Sequence, residues 1–280
     1  MWIWLLAVLA AAAAAVLIVL FLLAPGRYTP AQRAMVEGVN FAHRGLHTPD
    51  GTVPENSLPA FRAAVEQGYG MELDIQLSKD GRVVVFHDDT LDRVCGVHGR
   101  VDAFSLEQLR AMRLCGTQEG IPLLEEVFAL VRGRAPIIVE LKTGPRRIEL
   151  CEKALVLLRA YAREYGAAFC VEGFDPRIVA WFRRSAPDIL RGQLSNQPAS
   201  FSGKPWPMRQ ALGCLLTNVL ARPQFIAYGP GKKPPLARLA EALGPLRVCW
   251  TVRPGDDIGE KERCNDGVIF EFYHPAPRFR

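Results

Sequence analysis

The apolar and polar positions divide the chain into two unlike parts. Residues 1–24 carry no charged side chain. As a helix rising about 1.5 Å per residue they would span roughly 36 Å, enough to cross the hydrocarbon core of a bilayer. A secretory signal is the rival reading. No Lys or Arg precedes the run, however, and it exceeds the usual apolar region of a signal, so an uncleaved transmembrane anchor is expected. Pro25 and Gly26 end that helix, and residues 25–38 read as a short tether.

From residue 39 to residue 280 the pattern becomes one of short apolar runs alternating with amphipathic stretches. The spacing predicts helices over 58–66, 106–112, 123–131, 148–165 and 176–184. It predicts strands over 39–42, 70–77, 136–141, 168–171, 189–194, 225–228, 247–252 and 267–272. One further run, 83–86, follows the turn Lys79-Asp80-Gly81 and reads as the second arm of a hairpin with 70–77. Some eight strand slots separated by helical signals argue a parallel α/β architecture, and over about 240 residues an eight-stranded barrel closes it. An open doubly wound sheet is the alternative, but no Gly-rich dinucleotide turn follows any predicted strand. The expected fold is therefore an α/β barrel with a small β-hairpin insertion, preceded by one transmembrane helix.

Composition changes this picture little. The chain has 280 residues, 49% of them hydrophobic, and a net charge of +5. Its basic residues are scattered, so no nucleic-acid partner is indicated, whereas an anionic substrate or a membrane surface suits the sign. Seven cysteines without a CxxC pair suit reduced thiols; Cys95 and Cys115 could pair only if the domain were exported. Arg27 and Arg33 lie on the C-terminal side of the apolar run, and with the reduced thiols they place the domain on the cytoplasmic side of a single-pass anchor.

The candidate chemistry gathers where strands end. His43-Arg44-Gly45 closes the run 39–42, Glu72 and Asp74 lie within 70–77, and His87-Asp88 closes 83–86. With a side-chain period of two, Glu72 and Asp74 share one face. Two such carboxylates repel, so either a hard cation lies between them or they share a proton. Taken alone, the pair fits a solvated edge strand facing Lys79 and Arg82 equally well. Glu140 and Lys142 repeat the same spacing at the end of a later strand, adding a third carboxylate and a cation. Three carboxylates suffice for Mg²⁺ or Ca²⁺, Arg44 and Lys142 offer donors to a phosphate, and His43 and His87 remain for proton transfer. Together they describe metal-assisted cleavage of a phosphate ester.

These residues also follow a known order. His43-Arg44-Gly45, Pro54-Glu55-Asn56-Ser57, Glu72-Leu73-Asp74, His87-Asp88, Glu140-Leu141-Lys142 and Trp250-Thr251-Val252 resemble the signature of the glycerophosphodiester phosphodiesterases. Ile121 to Glu126 and Gly173-Phe174-Asp175-Pro176 are similar landmarks. The resemblance implies a TIM barrel holding one divalent cation, Mg²⁺ or Ca²⁺, on Glu72, Asp74 and Glu140. It implies His43 and His87 as the acid/base pair and Arg44 and Lys142 as phosphate ligands. Glu55 is expected near the metal or the His43 loop, and Asn56 is expected to orient phosphate or water. Trp250 is either barrel core or a wall against the substrate, and Glu172 would meet a cationic headgroup. His47 and His98 read as ordinary loop residues. Glu271 and Arg253 depart from the pattern, standing where aspartate and asparagine are common.

The activity so implied is hydrolysis of a glycerophosphodiester to glycerol 3-phosphate and an alcohol, within lipid metabolism. A lysophospholipase D drawing its substrate from the bilayer is the variant that the anchor suggests; apolar loops at the barrel mouth would favour it, but the apolar residues of 198–220 read first as a barrel helix. A catalytically silent membrane-anchored scaffold is the competing class. A phosphoinositide-type phospholipase C should lack the Glu-x-Asp and Glu-x-Lys pairs in this order.

Overall fold

The computed structural model describes residues 2–280; Met1, first residue of the expected anchor, lies outside them. The apolar runs form nine strands: β1 (Val39–Ala42), β2 (Gly70–Leu77), β3 (Val83–Val85), β4 (Ile137–Leu141), β5 (Phe169–Gly173), β6 (Arg191–Ser195), β7 (Phe225–Tyr228), β8 (Leu246–Val252) and β9 (Gly267–Phe270). Eight of them pair in parallel in the order β1-β9-β8-β7-β6-β5-β4-β2, and the β1–β2 pairing closes the ring. β3 adds antiparallel to the outer part of β2, with Ile75 opposite Val85. The result is a TIM barrel carrying the expected hairpin.

Burial on both faces explains why these strands read as nearly continuous apolar runs. One set of alternating residues, including Phe41, Ile138, Cys170, Phe225, Val248 and Ile269, packs in one cluster. The intervening set, including Met71, Leu73, Ile75, Ile137 and Val139, packs against the surrounding helices. Short helices Trp206–Gly213, Pro235–Ala242 and Ile258–Cys264 fill gaps that the periodicity left unread, because each spans too few turns to display an amphipathic repeat.

The segment expected as a tether is folded onto the barrel. Thr29 caps the helix Pro30–Ala34 through a capping box with Gln32. The Gln32 amide donates to the Asp188 carbonyl at 2.8 Å and accepts from Gln224, and Val36 is wholly buried. Since Asp188, Gln224 and Asp266 each precede a strand, this segment covers the N-terminal end of the barrel, away from the carboxylates. The preceding helix, Trp2–Leu23, is exposed along most of its length and long and apolar enough to cross a membrane, as some signal sequences also are. Its last residue, Leu23, is fully buried among Leu215, Ile226, Tyr228, Ala237 and Ala240.

Candidate active site

Strand register assembles the carboxylates. Asp74 of β2 stands opposite Glu140 of β4, which stands opposite Glu172 of β5. One oxygen each of Glu72, Asp74 and Glu140 lies within 4.8 Å of the other two, and all three residues are buried. Lys142 Nζ approaches Glu140 Oε1 at 2.9 Å and Asp74 Oδ1 at 3.3 Å, while Arg44 Nε lies 3.6 Å from Asp74 Oδ2. Of these groups Glu72, Glu140 and Arg44, together with His43, His87, Glu172, Phe174 and Trp250, line a pocket of about 140 Å³, with Asp74 and Lys142 directly behind its wall.

Two nearby cations do not neutralise this many carboxylates. Burial, then the charges of Asp74, Glu140 and Glu172, push Glu72 well above the usual carboxylate range. Burial likewise raises Glu140, partly opposed by Lys142. For Asp74 burial is outweighed by Lys142, His87 and Arg44, so its carboxyl is held low. Glu172 is raised by burial and by Glu140 and Asp74, and its Oε2 is buried without a hydrogen-bond partner. A cluster of hard oxygen donors, short of positive charge and shielded from water, fits one divalent cation.

The motif around residues 54–57 divides its work. Ser57 caps the helix Leu58–Glu66. Asn56 is buried, and its amide donates to Asp74 Oδ2 at 2.8 Å, so it orients a carboxylate of the acidic cluster. Glu55 accepts from Arg44 at 2.8 Å and from both ends of the Arg93 guanidinium at 2.7 and 2.8 Å. Gly45 must be glycine: its φ is +77°, and a Cβ would lie 2.8 Å from the Ala60 carbonyl carbon.

Each histidine is held by a carboxylate on Nδ1. His87 Nδ1 lies 2.6 Å from Asp88 Oδ1, whose other oxygen accepts from Arg93 Nε at 2.6 Å. His43 Nδ1 lies 3.1 Å from Glu271 Oε1, leaving its Nε2 3.9 Å from Glu72. Burial lowers the His43 pKa, and the Glu271 hydrogen bond opposes that shift. Glu271 itself is raised by burial but held far lower by hydrogen bonds from His43, His47 and Arg253. The two departures from the motif pattern thus meet: Arg253 Nε donates to Glu271 Oε2 at 2.7 Å. His47, expected as an ordinary loop residue, has Nε2 3.3 Å from Glu271 Oε1 and Nδ1 3.0 Å from the His43 carbonyl. His98 is exposed beside Asp92.

Trp250 lies both in the barrel interior and on the wall of the pocket. Its indole donates to the Ala227 carbonyl at 3.0 Å within the barrel, and its ring meets Phe174 edge-on at 5.5 Å on the pocket wall. Arg93, which joins Asp88 to Glu55, is a member of the site's hydrogen-bond network that sequence reasoning missed. It lies on the short helix Asp92–Cys95, and nothing in its spacing connects it to Glu55.

The chain matches known proteins over most of this architecture. The model of the glycerophosphoryl diester phosphodiesterase family matches residues 43–274. Human glycerophosphodiester phosphodiesterase 1 is 30% identical over 254 residues, covering 77% of this chain and 72% of its own. A glycerophosphodiester phosphodiesterase of Caldanaerobacter subterraneus is 41% identical over 113 residues, 37% of this chain. Four bacterial relatives are matched over 43% to 66% of their own length. Among solved structures, an Oleispira antarctica phosphodiesterase in complex with the product sn-glycerol-3-phosphate superposes with a TM-score of 0.67. It is 21% identical, covering 86% of this chain and 94% of that one. At that identity the superposition bears on the fold.

Proposed function

Because this chain belongs to the glycerophosphoryl diester phosphodiesterase family, we propose that it hydrolyses a glycerophosphodiester to glycerol 3-phosphate and an alcohol. The observation that carries this reading is one cluster: three buried carboxylates joined to Arg44 and Lys142, with two carboxylate-held histidines on the pocket that Glu72 and Glu140 line. A silent scaffold would have no need to keep every member of that set.

Glu72, Asp74 and Glu140 would hold one Mg²⁺ or Ca²⁺, which when bound supplies positive charge to a phosphoryl oxygen. Arg44 and Lys142 bind the remaining phosphate oxygens. A glycerol hydroxyl beside the phosphate attacks phosphorus, its orientation entropy already largely spent. One histidine accepts its proton and the other protonates the leaving alcohol. Water then opens the cyclic phosphate with the roles reversed. Asp88 and Glu271 keep each Nδ1 occupied, so Nε2 is the atom that exchanges protons. Glu172 lines the same pocket with its Oε2 buried and unpartnered, so it faces whatever part of the substrate lies beyond the phosphate.

The test is release of glycerol 3-phosphate from glycerophosphocholine and glycerophosphoethanolamine by the full chain in detergent, with Mg²⁺, Ca²⁺ or chelator. Metal-dependent release that is lost in His43→Ala and His87→Ala is expected. Release that persists in chelator or in both variants would overturn the reading. The helix Trp2–Leu23 serves as a membrane anchor with the barrel in the cytoplasm, and Arg27 and Arg33 support that orientation. Extraction of the chain by alkaline carbonate would exclude the anchor, and protease protection of the barrel in intact cells tests its side.

A further inference from the structure

The positive charge of this chain is gathered in one stretch. Between Asp188 and Glu241 there is no Asp or Glu, yet seven Lys or Arg residues fall there. The net charge is +5 overall, so the rest of the chain sums to −2. In the fold this stretch makes one flank of the barrel, strands β6 and β7 with the helices Trp206–Gly213, Asn218–Ala221 and Pro235–Ala242. Arg191 is buried and held by Gln224, and the other six basic residues are at least partly exposed. The same flank exposes large apolar side chains: Trp206 by 67%, Leu220 by 54% and Met208 by 49%. Met208, Leu220 and Lys204 line one hollow, so these groups form a single patch that water alone does not favour.

The N-terminal helix Trp2–Leu23 leaves from this same flank. It packs on Asn218–Ala221 and Pro235–Ala242, and Leu23 is fully buried against them. Asn218 Nδ2 donates to the Leu23 carbonyl at 3.2 Å, and Arg222 donates to the carbonyls of Phe21 and Ala24 at 2.6 and 2.9 Å. The Arg222 guanidinium also lies 4.6 Å from the centre of the Phe21 ring. These bonds satisfy carbonyls that the end of a helix leaves free. The helix is therefore joined to the barrel without slack, and a bilayer crossed by it must begin beside this flank.

We propose that this acid-free flank is a second membrane contact, which lays the barrel against the surface of an anionic bilayer beside its own anchor. The proposal rests on the anchor reading of Trp2–Leu23. Trp206 enters the interfacial zone, where an indole keeps its ring apolar and its N–H wet. Lys204, Lys232 and Arg238, all exposed, meet the anionic headgroups. Each basic residue near such a surface multiplies the docked population about fivefold. Because the anchor holds the flank beside the bilayer, docking is an intramolecular step, and such modest factors suffice. Uniform sign of charge, exposed apolar side chains and the root of an apolar helix coincide on one flank, which suits a lipid surface better than a protein partner. The consequence is a barrel held in one orientation on the membrane instead of one swinging on a leash.

The experiment places the full chain in nanodiscs of phosphatidylcholine and phosphatidylglycerol, with lipids brominated high on the acyl chain as quenchers of tryptophan fluorescence. The Trp206 signal is the difference between wild type and Trp206→Phe. The Trp2 and Trp4 signal, taken likewise from Trp2→Phe with Trp4→Phe, reports the anchor in the same discs. Bromolipid should quench Trp206. Lys204→Glu combined with Lys232→Glu and Arg238→Glu should weaken docking by on the order of 100-fold or more, and the quenching with it. Salt at about 1 M, where the Debye length falls to about 3 Å, should act in the same direction. Thermal melts of each variant report whether it is folded. Trp206 left unquenched while Trp2 and Trp4 are quenched overturns the proposal and leaves the flank to an acidic protein. Quenching of Trp206 that the triple variant leaves unchanged overturns it too, because charge would then play no part in the docking. Absence of quenching at Trp2 and Trp4 would instead strike the anchor reading itself.

Discussion

Replacing Glu271 by glutamine isolates what its charge contributes to His43. In the native site Oε1 of Glu271 lies 3.1 Å from His43 Nδ1 and 3.3 Å from His47 Nε2, and Oε2 accepts from Arg253 at 2.7 Å. Glutamine keeps the volume, but one end becomes a neutral acceptor and the other a donor facing donors. The imidazolium that forms during proton transfer then loses a charge-assisted bond, of a kind worth about 1.5–3 kcal/mol. If that bond is realised in the transition state, kcat/KM falls by about 10- to 150-fold. The sign of the pH effect follows from the same contacts. Burial lowers the His43 pKa and Glu271 raises it, so without the carboxylate it falls further. Whether His43 begins as base or acid, the limb of the kcat/KM profile that reports it moves to lower pH. The assay is headgroup release from glycerophosphocholine across pH, with His43→Ala as the floor and Glu271→Asp as partial rescue. A Glu271→Gln enzyme within about twofold of wild type and with an unmoved profile would refute the assignment of Glu271 as the positioning residue of His43.

Three other substitutions probe different parts of the site. Asn56→Ala removes the 2.8 Å hydrogen bond to Asp74 Oδ2, so calorimetric titration should find Mg²⁺ or Ca²⁺ affinity about 10–100-fold weaker; unchanged affinity would detach Asn56 from the metal cluster. Arg93→Ala removes a half-exposed side chain, 52% accessible, from Asp88 and Glu55. Exposed pairs contribute little stability, so the melting temperature should barely move while kcat drops about tenfold through a misoriented His87. A large loss of melting temperature with full activity would reverse that assignment. Gly45→Ala forces a side chain into a positive-φ position 2.8 Å from the Ala60 backbone. It should destabilise the fold by roughly 1–3 kcal/mol, visible as a melting temperature lower by several degrees; an unaltered melt would mean that the loop relaxes freely.

Much of this site was legible before any tertiary contact was known, because the relevant rules are local. A charge-free run has a length, and that length marked the helix Trp2–Leu23. A strand has a period of two, which put Glu72 with Asp74 and Glu140 with Lys142 on common faces. Strand ends are where a parallel barrel exposes polar groups, which drew attention to His43 and His87. The ordered motifs added the family. Other relations depended on which strands become neighbours and at what register, and no local period carries that information. Closure of β1 onto β9 is what brings Glu271, and with it Arg253, to His43. The turn after Glu55 sends the Asn56 amide back onto Asp74, 18 residues on. The helix holding Arg93 folds over so that one guanidinium joins Asp88 to Glu55, and residues 25–38 are packed because the open end of the barrel offers them apolar surface and unpaired backbone groups. Composition and spacing along the chain determined which chemical groups the protein owns; loop closure and strand register, which join residues far apart in sequence, decided which of them touch.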